Sequence, residues 1–140
     1  MDGYQYEYGC AKYLEDSGFT NITVTPKSGD QGIDIIATKA GKKFGIQCKY
    51  YTGSVGNKAV QEAYAGAAFY SCDVAVVITN TTFSKSAITL AQKLGVELWA
   101  EISAITFYAN TKNLNEKLSA EEKEQLEVEQ LEKMLQKKYQ

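Results

Sequence analysis

The stretch GIDIIATKAGKKFGIQCKYY, residues 32–51, decides the fold. Two β-rich runs, IDIIAT over 33–38 and KFGIQCKYY over 43–51, flank the Ala40-Gly41 pair, and that pattern predicts a β-hairpin. Asp34 stands among Ile33, Ile35 and Ile36, where an isolated carboxylate is costly unless it is paired or binds a metal ion. A two-residue loop at Ala40-Gly41 puts Gln47 opposite Asp34. A four-residue loop over 40–43 puts Lys49 there instead. Either way positions 34, 47 and 49 share one face, with Ile46 and Cys48 on the other.

Outward from the hairpin, Asp2 and Gln5 form a capping box that opens a helix over about 3–17. Its packed face is Tyr6, Cys10, Tyr13, Leu14 and Ser17, and Gly18 stops it. TNITVT (20–25) alternates as a strand, and KSGDQG (27–32) is a loop of turn formers. A helix follows over 57–70, its apolar stripe expected at Val60, Tyr64, Ala67 and Ala68. DVAVVIT (73–79) has the unbroken apolar character of a strand covered on both faces. A helix with Ala87, Leu90, Ala91 and Leu94 on one face ends at Gly95, and VELW (96–99) forms a last strand. The order α-β-β-β-α-β-α-β predicts an α/β fold, a mixed central sheet with flanking helices. Residues 110–140 change character, with seven glutamates and six lysines around Val128, Leu131 and Leu135. The expected organisation is a domain over 1–109 and a charged amphipathic helix over 110–140, the latter a candidate homodimer contact.

Two absences narrow the chemistry. No histidine is present, which removes Ser-His and Cys-His hydrolases and histidine-ligated zinc. All 15 basic residues are lysine, so bidentate arginine readout of guanine is absent as well. Carboxylates, amides, lysine and hydroxyls remain, with a hard metal ion on oxygen ligands as their natural partner. The longest apolar run, VAVVI at 74–78, is far below the roughly 20 residues of a membrane span. No membrane partner is expected, and three scattered cysteines read as reduced thiols of a cytoplasmic protein. The net charge of −2 does not advertise nucleic-acid binding. Lys39, Lys42, Lys43, Lys49 and Lys58, however, fall in one stretch without an acidic residue, a candidate phosphate-facing cluster.

Asp34 and the Gln47 amide oxygen are hard ligands, and the Cys48 backbone carbonyl offers a third. Lys49 beside them supplies positive charge where phosphodiester hydrolysis develops negative charge. The alternative is an Asp34–Lys49 salt bridge that merely ties the hairpin. Glu7 flanks the apolar face of the first helix and is a candidate outer ligand, or a helix-start acid favoured by the macrodipole. Asp30 and Gln31 before the strand, and Lys58, Gln61, Thr79, Asn80, Ser84 and Lys85 at helix starts and strand ends, are candidate DNA contacts. Ser84 serves equally as a plain N-cap, and Tyr50 and Tyr51 as stacking or packing residues.

The run Tyr4-Gln5-Tyr6-Glu7, then Ser28-Gly29-Asp30-Gln31-Gly32-Ile33-Asp34, then Gln47-Cys48-Lys49-Tyr50-Tyr51 resembles the catalytic domain of Mrr-type restriction endonucleases. The resemblance continues through Val55-Gly56, Ala59-Val60-Gln61-Glu62, Ala75–Asn80, Phe83-Ser84, Ala87 and Leu94-Gly95-Val96. That branch of the PD-(D/E)XK nuclease superfamily often carries Gln-x-Lys as its third motif. The resemblance implies a restriction-endonuclease-like fold and a Mg²⁺-dependent endonuclease on double-stranded DNA, with Mn²⁺ as substitute ion. It implies that Asp34 binds metal, Gln47 replaces the usual glutamate, Lys49 is the catalytic lysine and Glu7 the helix acid. A Holliday-junction-type nuclease and a weakly catalytic nucleic-acid-binding module on the same fold are the alternatives.

Overall fold

The computed structural model describes residues 2–26, 31–102, 128 and 130–133. Helix α1 (Gly3–Asp16) starts at the expected box: the Asp2 carboxylate accepts the Gln5 N–H at 2.8 Å and the Gln5 side chain accepts the Asp2 N–H at 2.9 Å. There follow β1 (Thr20–Val24), β2 (Ile35–Lys39), β3 (Lys42–Lys49), α2 (Asn57–Phe69), β4 (Val74–Thr79), α3 (Lys85–Leu94) and β5 (Glu97–Trp99). This is the predicted order. The strands form one sheet, β1-β2-β3-β4-β5, antiparallel through β3 and parallel from β3 to β5.

Ala40 and Gly41 take φ of 52° and 74°, as the two central residues of a tight hairpin loop must, and the register runs from Ile35↔Ile46 to Lys39↔Lys42. The two-residue alternative is the one adopted. Each face of the sheet carries its own core. On one face α1 brings Tyr6, Cys10 and Leu14 against Ile35, Ala37, Ile46, Val76 and Ile78. On the other, α2 and α3 cover Ala75 and Val77. Strand β4 supplies side chains to both, which explains its unbroken apolar run. Each fully buried isoleucine or valine contributes about 1.5–3 kcal/mol.

The expected stripe of α2 needs correction. The buried residues are Ala59, Val60, Ala63, Gly66 and Ala67, whereas Tyr64 is 48% exposed and Ala68 is exposed too. The helix lies too close to its neighbours for large side chains. A Cβ at Gly66 would stand 2.3 Å from the Gln31 carbonyl oxygen and 2.7 Å from the Ile33 side chain. Small residues therefore mark the packed face, and the tyrosine turns out.

Because β2 opposes β3 and β4 parallels it, the start of β2 and the ends of β3 and β4 come to one end of the sheet. The N-termini of α2 and α3 follow at that end, where α/β sheets form their crevices. The loops after β3 and β4 are stapled together there. Tyr51 N–H donates to Asn80 Oδ1 at 2.9 Å, Asn80 Nδ2 donates to the Tyr51 carbonyl at 2.8 Å, and Thr81 Oγ1 donates to the Gly53 carbonyl at 2.9 Å. Most of the expected helix over 110–140 lies outside the described residues; Val128 and Leu131, which are described, are exposed. No helix among the described residues is long and apolar enough to cross a membrane.

Candidate active site

Asp34 sits one residue before β2 rather than inside it, and its surroundings fix it from both sides. Its N–H donates to the Ile46 carbonyl at 2.9 Å, and its carbonyl accepts the Thr25 N–H at 2.9 Å. The Thr25 hydroxyl donates to the Ile33 carbonyl at 2.6 Å and buttresses the same bend. The Asp34 carboxylate, through Oδ2, accepts the Cys48 N–H at 2.7 Å, a short charge-assisted bond.

Gln47 is only 3% exposed. Its Nε2 donates to the Gly32 carbonyl at 3.1 Å and to Glu62 Oε2 at 3.0 Å. Both partners can only accept, so the orientation of the amide is dictated by the network. Its other atom, Oε1, is buried with no hydrogen-bond partner among the described residues. Lys49 Nζ lies 3.7 Å from the same Glu62 oxygen and 6.0 Å from the centre of the Tyr51 ring. Gln47 and Lys49 thus share a face, as strand parity requires, and they meet at an α2 residue that the pattern of the hairpin did not nominate. Glu62 also pairs with Lys58 one turn away on α2, at 3.8 Å through Oε1.

On the α1 side, the Cys48 thiol contacts Cys10. Its pKa is raised chiefly by burial, then by Cys10 and by the negative charges of Asp34 and Glu7. The thiol therefore stays protonated and is no nucleophile. Glu7, half-buried, and Asp34 bear on this one group from α1 and from the hairpin. The Tyr6 phenol is also pushed up, mainly by burial, and its ring packs 5.5 Å from that of Tyr50.

The remaining candidates divide. Lys58, Gln61 and Lys85 are exposed at this end of the molecule, with the Gln61 amide donating to the Asn57 side chain, and Gln31 is exposed where its loop packs against Gly66 of α2. Ser84 caps α3, accepting the Ala87 N–H at 3.2 Å. Asp30 lies outside the described residues. Two expectations are corrected. Thr79 is fully buried and its hydroxyl accepts the Thr81 N–H, so it has no surface to offer DNA. The Asn80 amide spends both ends on the Tyr51 backbone and fixes a loop instead. The lysine stretch also fails to form one cluster. Lys39 Nζ is tied to the Ser17 carbonyl and Lys43 Nζ to that of Tyr70, near the hairpin turn, whereas Lys49 and Lys58 lie at the far end of β3. Among the described residues no three His, Cys, Asp or Glu side chains group as a metal site, so an ion here needs amide or carbonyl oxygen as well.

Comparison with known proteins agrees with this architecture. An uncharacterized protein of Archaeoglobus fulgidus is 30% identical over 96 residues, covering 63% of this chain and 55% of that one. The crystal structure of AF1548, a protein of unknown function, superposes with a TM-score of 0.61 at 25% identity, covering 71% of this chain and 58% of that one. The DNA modification-dependent restriction endonuclease AspBHI shares the fold, with a TM-score of 0.52 at 15% identity over 79% of this chain and 31% of its own. The chain thus spans somewhat over half the length of the first two relatives. The restriction endonuclease family profile Mrr_cat matches residues 1–104. Because that match covers well over half of the sequence, the chain belongs to the Mrr_cat restriction endonuclease family.

Proposed function

We propose that this chain is a Mg²⁺-dependent endonuclease that hydrolyses phosphodiester bonds of double-stranded DNA, with Mn²⁺ able to replace Mg²⁺. The observation that carries the proposal is Gln47 Oε1, a buried amide oxygen without a partner among the described residues. Leaving such an atom unpaired costs about 1–3 kcal/mol, and a hard cation is a partner suited to a carbonyl-type oxygen. Asp34, Gln47 Oε1 and the Cys48 carbonyl would hold the ion, with Glu7 an outer ligand through water.

Bound there, Mg²⁺ supplies Lewis acidity toward the phosphate and lowers the pKa of a coordinated water. The chain's own residues do the rest. Cys48 N–H holds one oxygen of Asp34 and so fixes the plane of its carboxylate. Lys49 brings a fixed positive charge to the phosphate as its charge grows. Exposed Lys58 and Lys85, with Gln61 and Ser84, surround this end of the sheet, and these residues together with Gln31 are proposed to meet the backbone of the duplex.

Plasmid cleavage in Mg²⁺ is the direct test. Asp34→Ala and Lys49→Ala are each expected to lower the rate by at least about 100-fold, the scale of removing one electrostatic contact to the transition state. Excess EDTA is expected to abolish cleavage. Activity that persists in Lys49→Ala, or in EDTA, would sink the assignment. Salt-sensitive DNA binding without cleavage in any divalent ion would instead leave a binding module.

A further inference from the structure

Glu62 is outside the three residues that define the site, yet it touches two of them. One carboxylate oxygen accepts from Gln47 Nε2 at 3.0 Å and lies 3.7 Å from Lys49 Nζ, and the other is held at 3.8 Å by Lys58. We propose that Glu62 is the positioning residue of this site: it fixes which atom of Gln47 faces the cation and holds the Lys49 ammonium beside it. The inference rests on the metal-dependent reading given above.

A glutamate in position 47 would present two equivalent oxygens and need no such device. A glutamine has one oxygen and one NH₂ group, and turning the terminal torsion by half a turn exchanges them. The wrong orientation would direct N–H groups at the cation. The Gly32 carbonyl occupies one of the two hydrogens of Nε2, and Glu62 occupies the other with a charged acceptor. After a flip, Oε1 would face a carbonyl and a carboxylate, two acceptors with nothing to donate. The acceptor pair is itself held rigidly. A Cβ at Gly32 would stand 2.7 Å from the Glu62 carbonyl oxygen and 3.3 Å from its Cβ, so α2 is pressed against the loop that leads into Asp34. Glycine at 32, with φ of +82°, lets the two acceptors approach one amide.

The test is Mn²⁺ binding to the full chain by electron paramagnetic resonance titration, with melting temperature measured on each variant. Glu62→Ala is expected to weaken Mn²⁺ binding by about tenfold or more, the usual effect of losing a group that orients a ligand, at an unchanged melting temperature. Glu62→Gln keeps an acceptor oxygen for Gln47 and is expected to retain most of the affinity. Glu62→Met keeps the side chain's length without an acceptor, and should match Glu62→Ala; it carries the comparison if the alanine variant does not fold. Wild-type affinity in both Ala and Met variants, with binding lost in Asp34→Ala, overturns the role of Glu62 and leaves the metal site standing. Failure of the wild type to bind Mn²⁺, or full binding in Asp34→Ala, overturns the metal site and this role together.

Discussion

A buried hydroxyl or amide has a fixed number of hydrogen bonds to make, and two residues of this chain fall short of theirs. Gln47 Oε1 and Tyr6 Oη are both buried without a partner among the described residues, but their chemistry separates them. Gln47 belongs to a network of acceptors and a lysine at the end of the sheet, where an oxygen ligand has a use. Tyr6 belongs to the α1 core, where the neighbouring Cys10 thiol is a weak partner at best. Its hydroxyl is a desolvated group with little return. Tyr6→Phe is therefore expected to leave stability unchanged or raise it by about 1 kcal/mol in urea unfolding. A loss of more than about 1 kcal/mol would show that the hydroxyl has a native partner.

Helix α2 shows how packing overrides local preference. Alanine is favoured over glycine in a helix interior by about 1 kcal/mol, so propensity alone predicts that Gly66→Ala stabilises. The structure predicts the opposite sign. The added methyl would meet the backbone carbonyl oxygen of Gln31 at 2.3 Å, and backbone cannot turn aside as a flexible side chain can. Overpacking of this kind costs about 1–3 kcal/mol; set against the propensity gain of about 1 kcal/mol, a net loss of roughly 1 kcal/mol is expected, read as a lower urea midpoint. A stabilised variant would mean that the helix and the loop at 31–33 are not in contact in solution. The same element explains why Tyr64 was misassigned from the sequence. Helical spacing specifies a repeat, and both the 60/64/67/68 and the 59/60/63/66/67 sets satisfy it; the close approach of the backbone selects the small one.

Across the whole molecule the charge is slightly acidic, so the proposed phosphate contact would be local rather than made through a general basic field. Lys39 and Lys43 are engaged near the hairpin turn, and among the described residues this leaves Lys58 and Lys85 as the exposed cations beside the candidate site. Lys85→Ala is expected to lower the slope of log binding constant against log salt by about 1, measured on duplex DNA in EDTA. An unchanged slope would place the phosphate backbone away from the start of α3.

The sequence by itself determined the element order, the existence of the hairpin, the capping box of α1 and the shared face of Gln47 and Lys49, while the choice of the two-residue turn waited for the register. These depend on local chemistry: turn residues that accept positive φ, a side-chain period of two in strands, and polar groups that cap helix ends. The family, too, was legible, because its motifs are short runs whose spacing survives in one dimension. Only the tertiary structure decided which exposed-looking residues reach the site and which candidates are withdrawn from it. Glu62 joins Gln47 across 15 positions of chain, and Asn80 is withdrawn by a loop 29 positions away. No local pattern encodes such pairings, because they arise from the register of β3 on β4 and from the depth to which α2 settles on the sheet.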